Sequence, residues 1–189
     1  MAATGLRVTG GRLGGRRLRT PEEGARPTSD RVRESLFTRL GDLEGSTVLD
    51  LYAGTGVLGA EAVSRGAERA VFVERAARCV AVLEENLKRL GLERRVCVMA
   101  SDVVRALRQL GRRGERFDLV LLDPPYGSDE LPRALQALCD SGVLLPGATV
   151  VVEHHRRHPV PSLPGLTACD TREYGETAIT RLLAVESGE

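Results

Sequence analysis

Val48-Leu49-Asp50-Leu51-Tyr52-Ala53-Gly54-Thr55-Gly56 decides how this chain is read. It reads as a buried strand carrying one acid near its carboxyl end, followed by a glycine loop and a helix opening at about Val57. The two glycines stand where backbone is expected to pass close to a ligand, because neither carries a Cβ. In an open α/β sheet, ligands bind outside the carboxyl ends of the strands. A cofactor is therefore expected at this loop.

Gly54-Thr55-Gly56-Val57-Leu58-Gly59 fits G-x-G-x-x-G, the dinucleotide fingerprint, but Asp50 argues against that ligand. A pyrophosphate seated on the helix N-terminus would be repelled by a carboxylate beside it. S-adenosylmethionine has no phosphate and brings an ammonium and a sulfonium, both suited to an acid. D-x-x-x-G-x-G is the usual shape of a methyltransferase cofactor loop, which makes Asp50, Ala53, Gly54 and Gly56 the cofactor-binding candidates. The plain alternative is a strand-to-helix turn with an incidental Asp.

Downstream, a helix to about Gly66 leads to a second buried strand, Ala70–Glu74. Glu74 lies 18 residues beyond Gly56, near the ~20-residue offset at which an acid reaches ribose hydroxyls in nucleotide-binding βαβ units. Capping of the next helix is the alternative. Ala76–Leu90 is amphipathic and stops at Gly91, with Asn86 reading as structural. Arg95–Met99 is a third strand. Asp102 after it either accepts a hydrogen bond from an adenine amino group or caps the helix to Leu110.

Phe117–Leu122 is a fourth, continuously apolar strand, and it ends in Asp123-Pro124-Pro125-Tyr126. Two prolines fix the backbone and remove two N–H donors, leaving carbonyls free beside a carboxylate. An exocyclic amino group on a base is a poor nucleophile because its lone pair is delocalised into the ring. Hydrogen bonds from its two N–H groups to Asp123 and the Pro124 carbonyl would favour a pyramidal nitrogen, a contribution of positioning and electrostatics. Tyr126 could stack on a base drawn out of its helix. Asp123, Pro124 and Tyr126 are the catalytic candidates.

The remaining chain reads as a helix over Leu131–Cys139, a fifth strand over Thr149–Glu153, and two runs, Leu166–Arg172 and Ala178–Val185, with no helix between them. That pair is expected to form an antiparallel hairpin on an otherwise parallel sheet. His154, His155 and His158 lack a standard zinc spacing and read as a solvated or RNA-facing loop. Upstream, a helix from Ser29 or Asp30 to about Leu40 carries Val32, Leu36, Phe37 and Leu40 on one face. Before it, Leu6–Thr9 and Arg16–Thr20 alternate around a glycine-rich turn and read as a β-hairpin of small core contribution, leaning on the main domain or mobile. Residues 1–24 are taken as a basic arm and 25–189 as the main domain. Arg7, Arg12, Arg16, Arg17, Arg26 and Arg31 are the candidates for gripping phosphate without sequence readout.

Residues 1–40 carry a charge of +5 and the rest −4, an asymmetry that suggests a polyanionic partner. Lys88 is the only Lys, so Arg abundance by itself is weak support for RNA. No apolar run approaches the ~18 residues of a membrane span, and no secretory h-region is present. The four widely spaced cysteines are expected to be reduced, mostly buried thiols of a cytoplasmic protein.

Together these motifs resemble the RsmD-type family of small-subunit rRNA guanine-N2 methyltransferases. The resemblance is carried by Arg26–Phe37, Asp50–Gly56 with Gly59 and Glu61, Ser64–Ala67, Asp123–Tyr126 and Glu173–Ala178. Tyr52 stands where Phe is usual, and Thr55 where Ser is common. The resemblance implies an α/β, Rossmann-like class I fold with a mostly parallel seven-stranded sheet, S-adenosyl-L-methionine as cofactor, and a guanine of 16S rRNA, guanine 966, as target. The implied partner is 16S rRNA in the small subunit or its assembly intermediate, met by a monomer with neither metal nor membrane. A DNA adenine-N6 enzyme would normally add a target-recognition domain, and a glutamine-N5 enzyme would carry Asn at position 123. A catalytically silent RNA-binding assembly protein and an NAD-linked oxidoreductase are the readings from other classes.

Overall fold

The structure, a computed structural model, describes residues 6–20, 29–125 and 129–185. Its elements alternate from α1 (Asp30–Leu40) and β1 (Thr47–Leu51) through α2 (Val57–Ser64), β2 (Arg69–Glu74), α3 (Ala77–Leu90) and β3 (Val96–Ala100) to α4 (Val103–Arg112) and β4 (Phe117–Leu122). α5 (Glu130–Ser141), β5 (Leu144–His155), β6 (Leu166–Tyr174) and β7 (Thr177–Ala184) complete them. The sheet runs β3-β2-β1-β4-β5-β7-β6. β1 to β5 are mutually parallel, and β7 lies antiparallel between β5 and β6.

Side-chain alternation sends the central strands into two cores. Val48, Leu119, Leu121 and Val151 meet α1, α2 and α3 on one face. Leu49, Leu51, Val120, Leu122, Val150 and Val152 meet α4 and α5 on the other. Because β1, β2 and β4 are covered on both faces, they are apolar at most positions and do not alternate, with Asp50 the buried exception in β1. Full burial of each such Leu, Val or Phe contributes roughly 1.5–3 kcal/mol. The carboxyl ends of β1, β2, β4 and β5 therefore emerge together along one rim of a rigid sheet.

The first described segment leans on the α1–α3 face. Leu6, Val8 and Leu18 are buried in its core, a larger share than the sequence suggests. An antiparallel bridge joins Arg7 to Arg17, and a 3-10 turn, Gly11–Leu13, closes the hairpin. Polar contacts fix it. The Thr9 N–H and hydroxyl donate to the buried Glu61 carboxylate at 2.6 and 2.7 Å, and the Leu13 N–H donates to Ser64 Oγ at 2.9 Å.

Two expectations are corrected. β5 starts at Leu144, well before Thr149, and runs two residues past Glu153 to His155. Pro146 and Gly147 signal a break, but the strand absorbs them as an irregularity between the Phe117↔Leu144 and Leu119↔Thr149 pairings. His154 is consequently in a strand, buried, with its Nε2 2.9 Å from Thr180 Oγ1, and does not belong to a solvated loop. Nor are the cysteines mostly buried. Cys97 and Cys169 are exposed on the edge strands β3 and β6, and Cys79 and Cys139 are half-buried. Among the described residues, no helix is long and apolar enough to cross a membrane.

Candidate active site

The loop after β1 is held by carboxylates that accept backbone N–H groups. Asp50, buried at the end of β1, accepts from Gly59 N–H at 2.8 Å, in the first turn of α2. Glu74, at the end of β2, accepts from Gly54 N–H at 2.9 Å and from Ala76 N–H at 2.8 Å. Glu74 therefore both touches the glycine loop and caps the following turn. The Ala53 carbonyl closes the loop by accepting from Gly56 N–H at 2.7 Å. Burial, with the Glu74 charge adding to it and the Gly59 bond opposing it, pushes the Asp50 carboxyl up to about 7.

The glycines have more specific reasons than ligand approach. Gly54 and Gly56 sit at φ 54° and 81°, where a Cβ is strained. A Cβ on Gly56 would also run into Leu83 Cδ1 of α3. Tyr52 occupies the left-handed region at φ 62° without being glycine. Such backbone costs on the order of 1–3 kcal/mol and clusters at functional sites.

A residue that sequence reasoning left as structural joins this loop to the N-terminal segment. Buried Asn86 of α3 donates through Nδ2 to the Thr55 and Arg19 carbonyls, both at 3.0 Å, and its Oδ1 accepts from Arg19 N–H at 2.7 Å. The signal was present in the pattern. Asn86 interrupts the apolar face made by Leu83, Leu87 and Leu90, and a buried amide requires partners.

The turn after β4 is built differently. By alternation Asp123 shares a face with Leu119 and Leu121, and Pro124, next in the chain, is buried. Burial raises the Asp123 carboxyl well above the usual carboxylate range, and the charges of Glu153 and Asp50 raise it further. A cavity of about 290 Å³ lies against Pro124 and Pro125, walled opposite by His154, His155 and His158. Tyr126 lies outside the described residues. Asp102 is exposed at the end of β3, where its Oδ1 accepts from Arg105 N–H at 2.9 Å and caps α4. That is one of the two readings its position allowed.

A family described as conserved hypothetical protein 95 matches residues 6–182, nearly the whole chain. The chain belongs to this family. YlbH of Bacillus subtilis strain 168, provisionally named an rRNA methyltransferase, is 36% identical over 177 residues, covering 92% of this chain and 96% of YlbH. Ribosomal RNA small subunit methyltransferase D of Escherichia coli K12 is 34% identical over 161 residues, covering 84% of this chain and 79% of that protein. These relatives make it the RsmD-type family. The solved structure of yhhF from Escherichia coli, provisionally described as a methyltransferase, superposes with a TM-score of 0.86 at 30% identity, covering 95% of this chain and 98% of that one. The fold is that of the class I S-adenosylmethionine-dependent methyltransferases.

On this family's fold the candidate phosphate-gripping arginines are spread apart. Arg7 ion-pairs with Asp30 at 2.7 Å near the start of α1. Burial alone would raise Asp30, but Arg7 and Arg33 outweigh it and hold the carboxyl below its usual range. Arg16, Arg17 and Arg31 are exposed. Arg12 is also exposed, at the tip of the hairpin, beside Ser64, Arg65 and Arg95 around a depression of about 530 Å³. α2 descends from the glycine loop to Ser64, so Arg12 lies at the opposite end of the sheet from Asp123. Arg26 lies outside the described residues. Among the described residues, no group of three or more His, Cys, Asp or Glu side chains is arranged to hold a metal.

Proposed function

We propose that this chain methylates the exocyclic N2 amino group of a guanine in small-subunit rRNA, guanine 966 by the family resemblance, using S-adenosyl-L-methionine. One observation carries the reading: Asp123-Pro124-Pro125 ends β4 directly beside β1, whose end carries Asp50 and the glycine loop. The 34%-identical relative named ribosomal RNA small subunit methyltransferase D supports the substrate class.

The donor set suits the cofactor. Asp50, Glu74, Asp123 and Glu153 stand at four neighbouring strand ends, and such a crowd of carboxylates favours a cationic ligand over an anionic one. S-adenosylmethionine supplies an electrophilic methyl group on a sulfonium. Asp50 holds the glycine loop, and a cationic ligand beside it favours its ionised form. Glu74 keeps lone pairs for ribose hydroxyls, and Asp102 Oδ2 for an adenine amino group.

Asp123 and the Pro124 carbonyl accept the two amino hydrogens of the target and draw its nitrogen toward a pyramidal geometry. An amino nitrogen that gains a methyl group must shed a proton. Asp123 is the adjacent acceptor, and its raised proton affinity suits that task. Tyr126 stacks on the base, and Arg7, Arg12, Arg16, Arg17, Arg26 and Arg31 meet rRNA phosphates, with residues 1–24 acting as the arm of a monomeric enzyme. The substrate is 16S rRNA within a small subunit or its assembly intermediate.

The test is transfer from labelled S-adenosylmethionine to partly assembled small subunits that lack the modification, followed by mapping of the label. Label on a guanine N2 of 16S rRNA is the expected result. Cofactor binding with no label on RNA would favour a silent assembly protein, and label on an adenine amino group would move the enzyme to a different base.

A further inference from the structure

The turn that grips an amino group does not by itself choose a base. Guanine, adenine and cytosine all carry an exocyclic amino group that Asp123 and Pro124 could hold. They differ at the ring nitrogen beside it. In guanine that position is N1–H, a donor, whereas in adenine and cytosine it is an unprotonated acceptor. A site for guanine therefore needs a second acceptor next to the first.

β5 supplies one. β4 and β5 run parallel with Leu121↔Val151 and Leu122↔Val152 paired. One residue further on, Asp123 and Glu153 lie side by side. Alternation puts both side chains on the face shared by Leu121 and Val151, the face that also carries Asp50 on β1. Neighbouring strands lie ~4.8 Å apart, close enough for the two carboxylates to converge on adjacent donors of one base edge.

Glu153 is 8% exposed, follows the apolar run Val150-Val151-Val152, and pairs across the sheet with Ile179. Its carboxylate stands close enough to that of Asp123 for its charge to perturb it.

We infer that Glu153 reads the identity of the base: its carboxylate accepts guanine N1–H while Asp123 and Pro124 hold the N2 amino group, and it repels the acceptor nitrogen of adenine or cytosine. This inference rests on the guanine-N2 reading above. Glu153 would be a specificity-determining residue that touches substrate and leaves the cofactor alone.

The experiment uses assembly intermediates reconstituted with 16S rRNA carrying either guanine or 2-aminopurine at the labelled position. 2-Aminopurine keeps the 2-amino group but has an acceptor at N1. The native enzyme should prefer guanine by about 10²-fold or more in kcat/KM, because a site built around a substrate N–H rejects the analogue without it. Glu153→Gln presents an N–H of its own to N1. It should lose activity on guanine, gain it on 2-aminopurine, and shrink the preference at least tenfold, with cofactor affinity by calorimetry unchanged within about threefold. Glu153→Asp keeps the charge and should keep the preference at reduced rate, so it serves if the Gln variant does not fold. A parallel loss on both substrates with the preference intact would overturn the role. Failure of the native enzyme to label guanine N2 would instead overturn the guanine-N2 reading itself.

Discussion

The loop after β1 and the turn after β4 leave the sheet side by side but are held in different ways. In the first, Asp50, Glu74 and Asn86 all direct their polar atoms at backbone, and Gly56 is packed against Leu83. In the second, no described residue donates a hydrogen bond to Asp123, whose neighbours Glu153 and Asp50 repel its charge. The first region satisfies itself and acts as a scaffold. On the proposed reading, the second offers the Asp123 carboxylate to the donors of a base. Damage to the scaffold should therefore appear in stability and cofactor binding, and damage to the turn should appear in rate.

The largest expected effect is at the turn. Asp123→Ala should lower methyl transfer by on the order of 10³-fold, the scale for removing a preorganised electrostatic partner, with cofactor affinity kept within about tenfold. Single-turnover rates and calorimetry on the same variant measure the two. A matching loss of both would erase the distinction between the regions.

Asp50 gives the next effect, through pH. Below its ordinary value of 3.8 the carboxyl is protonated in folded and unfolded chains alike. Between there and about 7 the unfolded chain ionises while the folded one keeps its proton. Stability should thus be highest at the acid end of this window and fall as pH rises through it, by on the order of 4 kcal/mol from this group. Denaturant titrations across the window should show that slope in the native protein and a flatter one in Asp50→Asn.

Asn86→Ala strands the Arg19 N–H and the Thr55 and Arg19 carbonyls, at a cost of about 2–3 kcal/mol. Chemical denaturation measures the cost, and cofactor affinity should fall with it. The smallest effect belongs to an exposed arginine. Arg17→Glu should leave stability within about 0.5 kcal/mol and should weaken RNA binding with a shallower dependence on salt. An unchanged salt slope would remove Arg17 from the RNA face.

Much of this contrast was legible in the chain. Strands buried on both faces announce themselves by unbroken apolar runs, so β1, β2 and β4 and the motifs at their ends were placed from Asp50–Gly56, Glu74 and Asp123–Pro125 alone. Gly91 ends α3 in the left-handed conformation that its identity suggested. What escaped depended on distant partners. Pro146–Gly147 looks like a terminus until β4 is there to pair with Leu144. Cys97 looks like core until β3 turns out to be an edge. Asn86 looks incidental until Arg19, 67 residues away, is seen to lie against it. Glu153 looks like a strand end until β4 brings Asp123 beside it.

The hairpin over residues 6–20 finds its polar anchors far along the chain, at Glu61, Ser64, Glu85 and Asn86. During synthesis at roughly 5–20 residues per second, this segment leaves the ribosome before α2 and α3 and waits seconds for the helices it must join. It cannot take its final place on the hairpin–α2–α3 face until residues as late as Asn86 have emerged. The bonds from Asn86 to Arg19 and Thr55 give the hairpin and the glycine loop one shared anchor, which a nascent chain lacks until α3 has been made.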